Sequence, residues 1–285
     1  MYRLTKGDLV VELCEPGTYY RGTRFDWAGV FRRIVKDGYV FADEWFEGGD
    51  CFTHDHVCGP SEEFVSVSFD GVEPGGVFVK PGVGLLRRPD DKPYDWFRLY
   101  EIADGGKWSV EQGPDNILYE HELEWWYRYE KRIVLESDSA VRISHRVDWK
   151  APQPVNGFNY NHNFFTFGGA LVGSGRTVDF PFRPEGHWRA EYDYATLTGS
   201  GIRLSSPIVP PSVYMGDLHA AGTPATPYAF RISEGGVRSV AVQGSRAVSH
   251  YVFWSNPRVA CVEPYLPIAL VKGKSEEWDI ILKLY

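Results

Sequence analysis

Apolar and polar residues alternate along much of this chain. In Val141-Arg142-Ile143-Ser144-His145-Arg146-Val147-Asp148-Trp149 the apolar residues take every second position, interrupted only by His145. This is the pattern of a strand with one face on a core and one toward water. Upstream, Trp125, Tyr127 and Tyr129 alternate with Trp126, Arg128 and Glu130, and Arg132-Ile133-Val134-Leu135 follows. The break Glu136-Ser137-Asp138-Ser139 between these runs predicts a long antiparallel hairpin. Val65-Ser66-Val67-Ser68-Phe69, ended by Asp70-Gly71, predicts another strand. Ser239-Val240-Ala241-Val242 and His250-Tyr251-Val252-Phe253-Trp254 predict a pair around Gly244-Ser245, and Trp278 to Leu284 a last strand. Helical periodicity is thin: Asp115 to Glu122 has room for one or two turns. Strands at this spacing predict an all-β sandwich of two large, mostly antiparallel sheets facing each other. With no linker or repeat, residues 1–285 read as a single domain. Ser205 to Pro227, rich in proline, glycine and alanine, reads as a long surface loop within it.

Composition agrees. Thirty glycines and 19 prolines multiply the breaks between short elements, and 17 tyrosines against 2 methionines favour strands. A hydrophobic content of 43% excludes a disordered chain. With 38 acids against 30 bases the net charge is −8. That balance argues against a nucleic-acid partner and against an anionic membrane surface. No window approaches the ~18–20 unbroken apolar residues of a membrane span. The N-terminus has no signal-like apolar core, so a cytoplasmic location is expected. Cys14, Cys51, Cys58 and Cys261 are few and irregularly spaced, as expected of reduced thiols buried as small hydrophobes rather than of a disulfide framework.

Polar residues that interrupt apolar runs mark the candidate chemistry. His162 lies in Asn159-Tyr160-Asn161-His162-Asn163-Phe164-Phe165, where an imidazole can give or take a proton near neutral pH. A core histidine held by hydrogen bonds is the alternative. Glu263 ends the apolar run Val259-Ala260-Cys261-Val262 and precedes Pro264. A carboxylate in such a place is either paired with a cation or used as a base. Pro264 is expected to end the strand and leave Glu263 at a sheet rim. Tyr20-Arg21-Gly22-Thr23-Arg24-Phe25-Asp26-Trp27 mixes guanidinium forks with rings, which suits a hydroxyl-rich ligand or, alternatively, surface Arg–Asp pairs. His54-Asp55-His56 has the spacing of half a metal site, but no third ligand is visible.

Together these segments resemble the aldose 1-epimerase (galactose mutarotase) family. Asn161-His162-Asn163-Phe164-Phe165 is similar to its Asn-His-Ser-Tyr-Phe motif, and Cys261-Val262-Glu263 to its Cys-Leu-Glu segment. Gly22-Thr23-Arg24-Phe25 resembles the Asn-Arg-Ile element, and His54-Asp55-His56 the His-x-His element. The resemblance implies a galactose mutarotase-like β-supersandwich with a sugar site on the concave face of one sheet. It implies an isomerase with His162 as general acid and Glu263 as general base, Arg24 and His56 on sugar hydroxyls, and Trp27 available to stack on the ring. The substrate is then a small-molecule sugar, with no cofactor and no metal. Two departures stand out. No Gly-Gly follows His56, and only Asp179 and Asp193 offer themselves for the family's substrate-binding aspartate. Rival readings are a glycoside lyase or hydrolase, a hexose-phosphate epimerase using Arg32-Arg33 or Arg87-Arg88, and a non-catalytic carbohydrate-binding protein.

Overall fold

A computed structural model describes residues 1–65 and 68–285. The chain opens with a meander of β1 (Tyr2–Lys6), β2 (Leu9–Leu13), β3 (Phe31–Lys36) and β4 (Tyr39–Ala42). Then come β5 (Gly59–Val65) and a ribbon of β6 (Val77–Lys80), β7 (Gly84–Arg87) and β8 (Ile102–Asp104). Next are β9 (Lys107–Gln112), β10 (Asn116–Leu123), β11 (Tyr127–Leu135), β12 (Ala140–Trp149) and β13 (Val155–Phe164). Short strands follow: β14 (Arg176–Asp179), β15 (Pro184–Trp188), β16 (Ala195–Thr198) and β17 (Gly201–Leu204). The last six are β18 (Val213–Ala220), β19 (Ala229–Glu234), β20 (Arg238–Gly244), β21 (His250–Ser255), β22 (Ala260–Leu270) and β23 (Ser275–Leu284). Among the described residues the helical elements are 3-10 turns, at Phe69–Gly71 and Phe167–Gly169.

Two sheets dominate. One has ten strands in the order β16-β17-β14-β19-β20-β23-β12-β11-β10-β9, the other six in the order β15-β18-β21-β22-β13-β5. The predicted hairpin is β11–β12, antiparallel from Tyr127 opposite Trp149 to Leu135 opposite Val141. It starts later than expected, because Trp125 and Trp126 lie in the turn before β11. Tyr129, Ile133, Ile143 and Val147 from the large sheet share one buried cluster with Phe64, Phe253, Val262 and Leu266 from the small one. The core between the sheets is therefore continuous. The six-stranded sheet is covered on its other face too, where Tyr160, Phe164 and Cys261 pack against Tyr20, Phe25, Trp45 and Val57. This double cover explains why every residue of β5 is buried and why exposure does not alternate there.

Four elements differ from expectation. Asp115 to Glu122 is no helix: it falls largely in β10, where Ile117, Tyr119, His121 and Leu123 face inward at period two. His121 on that inward face interrupts the apolar series. Ser205 to Pro227 is not all loop, because β18 runs through it. A register shift between Met215 and Leu218 breaks the alternation that would reveal that strand. Ser239–Val242 and His250–Trp254 do not pair with each other: β20 lies in the ten-stranded sheet and β21 in the six-stranded one. The strand expected over Val65 to Phe69 stops at Val65, residues 66 and 67 lie outside the described residues, and Phe69 begins a 3-10 turn.

The core holds charge. Lys131 and His145 are cross-strand neighbours on the inward face of β11–β12. Lys131 Nζ lies 3.4 Å from Asp26 Oδ1 and 3.5 Å from Glu62 Oε2. His145 Nε2 lies 2.6 Å from Glu62 Oε2, and Tyr129 donates to Asp26 Oδ2 at 2.8 Å. Burial alone would raise the Glu62 pKa, but His145 and Lys131 outweigh it and hold the carboxyl below its usual value. Burial pushes Asp26 up to about 6, against the opposing pull of Lys131. Breaking such a buried set by removing one partner costs about 3–5 kcal/mol, whereas an exposed pair contributes about 0–1 kcal/mol. Lys131→Met should therefore lose about 3–5 kcal/mol in urea unfolding. Arg146→Gln, at the exposed Arg146–Glu277 pair, should lose less than about 1 kcal/mol. Equal losses would show that the cluster does not hold the sheets together.

Candidate active site

The site is built on a split in the six-stranded sheet. β13 and β22 pair from Val155 opposite Leu270 to Tyr160 opposite Tyr265. One further bridge joins Phe165 to Ala260 in the same register. Residues 161–164 and 261–264 between them make no ladder pairs with each other. Pro264 lies in this gap and has no N–H to donate. Contrary to the expectation from sequence, the proline does not end the strand; β22 continues to Leu270, and Glu263 is mid-strand. The Asn163 side chain bridges the gap, donating through Nδ2 to Val262 O at 2.8 Å and to Asn161 O at 3.0 Å. Asn161 Nδ2 donates to Glu62 Oε1 at 3.4 Å on the core side. Period two thus sends Asn161 and Asn163 toward the core, and Tyr160, His162 and Phe164 toward the opposite face.

On that face His162 and Glu263 meet across the gap, with Nε2 and Oε1 3.3 Å apart. Both line a cavity of about 240 Å3 together with Arg24, Arg189, Tyr214 and Trp254. His162 is stacked on Phe164, with ring centroids 3.9 Å apart, and meets Phe25 and Trp254 edge-on. Its Nδ1 is buried without a partner among the described residues. Arg24 comes from the loop between β2 and β3 and donates to Glu63 Oε2 at 3.1 Å and, through Nη2, to Tyr160 Oη at 2.9 Å. Glu63 Oε2 also accepts from Tyr160 Oη at 2.6 Å, and Oε1 accepts from Lys80 Nζ at 2.6 Å and Tyr94 Oη at 3.1 Å. This fully buried carboxylate fixes Arg24 at the cavity wall.

The protonation states follow from burial. Desolvation raises Glu263 to about 8, with Arg24 opposing and Glu63 adding to the rise. Desolvation, and then Arg24, holds His162 well below the usual histidine value. Near neutral pH the pair therefore holds its proton on the carboxyl, beside a neutral imidazole. The arrangement can accept one proton and donate another at adjacent positions.

The sequence candidates distribute unevenly. Arg24, His162 and Glu263 converge on one cavity. His56 does not line it: the ring packs 4.4 Å from Phe46 and 5.0 Å from Tyr19, while His54 is at the cavity wall. Trp27 is also elsewhere, its Nε1 donating to Gly22 O at 2.9 Å. The rings at the cavity include Trp254, Tyr214 and Phe97. Asp179 pairs with Arg203 on the ten-stranded sheet, and Asp193 is exposed. Glu63, Lys80, Tyr160 and Arg189 were not singled out from sequence. Among the described residues no group of three or more His, Cys, Asp or Glu is disposed to hold a metal ion. No described helix is long and apolar enough to cross a membrane, and all four cysteines are free thiols.

No protein-family model and no curated protein matches this chain. Solved structures do. An Escherichia coli K12 protein described as a "putative aldose 1-epimerase" aligns with TM-score 0.59 and 13% identity, covering 100% of this chain and 98% of its own. A galactose mutarotase related enzyme from Lactobacillus acidophilus aligns with TM-score 0.58 and 10% identity, over 100% of this chain and 97% of its own. A galactose mutarotase-like protein from Lactobacillus casei aligns with TM-score 0.56 and 10% identity over 100% of both chains. The chain thus has the galactose mutarotase-like antiparallel β-sandwich fold. At these identities the likeness carries the fold, and the chemistry rests on the residues themselves.

The raised carboxyl makes a stability prediction. Between pH 4.5 and about 8 the folded protein keeps the Glu263 proton that the unfolded chain releases, so stability falls as pH rises through this window. Glu263→Gln is neutral throughout. Its stability relative to wild type should grow across the window, reaching ~2–4 kcal/mol in its favour near the top. Denaturant unfolding at several pH values measures this. A Gln variant less stable than wild type near pH 8 would mean that Glu263 is held as a structural anion.

Proposed function

We propose that this chain is a single-domain, cofactor-independent aldose 1-epimerase-like isomerase of the cytoplasm, which interconverts the anomers of a small sugar. The observation that carries this reading is the 3.3 Å approach of His162 Nε2 to Glu263 Oε1 on the floor of a cavity of about 240 Å3. Small-molecule sites usually run about 300–1,000 Å3, so this one suits a single ring rather than a chain. Acid and base stand side by side rather than on opposite sides of the sugar. The ring oxygen and the anomeric oxygen are both bonded to C1, so one edge of the ring presents both to the pair.

With the proton on Glu263, the roles in the free site are the reverse of those implied by the family resemblance. Glu263 gives its proton to the ring oxygen while His162 Nε2 takes the proton of the anomeric hydroxyl. The bond from C1 to the ring oxygen breaks as the C1 carbonyl forms. The open aldehyde turns about the C1–C2 bond. On re-closure at the other carbonyl face, the hydroxyl that was the ring oxygen attacks C1 and returns its proton to Glu263, while protonated His162 gives its proton to the new anomeric oxygen. The carboxylate formed at Glu263 is stabilised by Arg24, which lowers the pKa of that group. A glycosidase would ordinarily require a second carboxyl group free to act. Glu63 does not supply it, because it is fully buried and engaged by Arg24, Lys80, Tyr94 and Tyr160, and the other carboxylate at the cavity wall, Asp55, lies 3.7 Å from the His54 ring.

Glu263→Gln and His162→Asn should each abolish anomer exchange measured by NMR. The double variant should lose little more than either single one, as expected of residues acting as a unit. Loss of the pair's proton should give a basic limb near pH 8, the value to which Glu263 is raised. Protonation of His162 should give an acidic limb well below pH 6.5. Normal turnover in Glu263→Gln would remove the assignment of the pair, and sugar binding without anomer exchange in wild type would leave a carbohydrate-binding protein.

A further inference from the structure

Two guanidinium groups flank the cavity, and they are employed differently. Arg24 enters on the β5 side, where Glu63 and Tyr160 occupy it. Arg189 enters on the opposite side, just after β15. Its backbone N–H donates to Tyr214 O at 3.0 Å, and its guanidinium carbon sits 3.7 Å from the centroid of the Tyr214 ring. That ring pins the side chain by cation–π attraction. No carboxylate pairs with Arg189 among the described residues, although it lines the cavity. Neither Asp179 nor Asp193, the sequence candidates for a substrate-binding aspartate, lines the cavity.

The charges around the cavity do not balance. Arg24, Arg189 and Lys80 stand against Glu63 and Asp55. Glu263 adds no charge while it holds its proton, and His162 is neutral. His54 lies 3.7 Å from Asp55 at the wall, and burial lowers its pKa, so it adds no cation near neutral pH. The cavity is therefore left one positive charge in excess, in a chain whose net charge is −8. Position gives this excess a direction. Tyr214 lies on β18, and Glu263 lies two strands away on β22, a separation of about 10 Å at the usual strand spacing. A pyranose with C1 over the His162–Glu263 pair and its ring across β21 brings its far carbon toward Arg189.

We propose that the substrate is an acidic aldose, carrying a carboxylate or a phosphate on the carbon remote from C1, and that Arg189 selects it. The guanidinium fork matches either group, since both offer paired anionic oxygens. This rests on the ring-opening reading of the same cavity. Arg189 acts on specificity and takes no part in the proton transfers.

The test measures anomer exchange by NMR for glucose and galactose, glucuronate and galacturonate, and glucose 6-phosphate, in wild type, Arg189→Gln and Arg189→Lys. Equilibrium binding of the same sugars is measured in parallel. In wild type, kcat/KM for one acidic class should exceed that for the neutral sugars at least about tenfold, which a charge-assisted contact readily supplies. Whether uronates or the phosphate lead identifies the anionic group. Arg189→Gln should bring the acidic-to-neutral ratio down toward one, mainly through KM, and Arg189→Lys should keep part of it. Neutral sugars matching the acidic ones in wild type, or an unchanged ratio in Arg189→Gln, would overturn the proposal. If no sugar is turned over, the isomerase reading falls. Binding then decides the substrate class: acidic sugars that bind wild type and are lost in Arg189→Gln support it, and equal or absent binding overturns it.

Discussion

Glu62 and Glu63 are neighbours on β5, both fully buried, and the structure is arranged around satisfying them. Strand geometry forces adjacent side chains to opposite faces, so one glutamate points between the sheets and the other toward the loops that cover them. A buried unpaired carboxylate costs several kcal/mol, so each face has to supply cations. The large sheet supplies Lys131 and His145 to Glu62, which ties the two sheets across their core. The covering segments supply Arg24, Lys80 and Tyr94 to Glu63, and the neighbouring strand β13 supplies Tyr160. One dipeptide thereby fixes the packing of the layers and the position of an arginine at the cavity. Asp26, two residues after Arg24, joins the core cluster through Lys131 and Tyr129, so the same loop is anchored on both sides.

Much of the fold was legible because alternation survives wherever one face of a strand meets the core. The β11–β12 hairpin and β23 are such cases. The pattern failed where something local disturbed it: His121 on the inward face of β10, and the register shift in β18. It also carried nothing about partners. β20 and β21 each look like strands, but their own residues do not say that the chain changes sheets between them.

The site was legible where polar residues broke apolar runs, as at His162 and Glu263. It was not legible where an ordinary-looking residue takes an unusual position. Lys80 ends Val77-Phe78-Val79-Lys80 and reads as a solvated strand end, yet it is buried against Glu63. His54 and His56 lie in a loop, where period-two reasoning has no hold, and which one meets the cavity depends on how Phe46 and Tyr19 pack around the other. Arg189 sits alone between Trp188 and Ala190, and only the fold brings it to Tyr214.

The gap between β13 and β22 places an imidazole and a carboxyl in direct contact, and burial leaves the two with a single proton between them. In the proposed reaction that proton is lent to the sugar and repaid by it within one catalytic cycle. Forward and reverse conversions then use the same two groups in the same roles, with opening and closing exchanging acid for base, and neither anomer is favoured by the starting state of the site. The equilibrium between anomers is left to the sugar, and no bulk proton or buffer species has to enter the cavity for the cycle to close. A neutral, self-contained pair of this kind is free to catalyse both directions of a reaction whose substrate and product differ at one carbon.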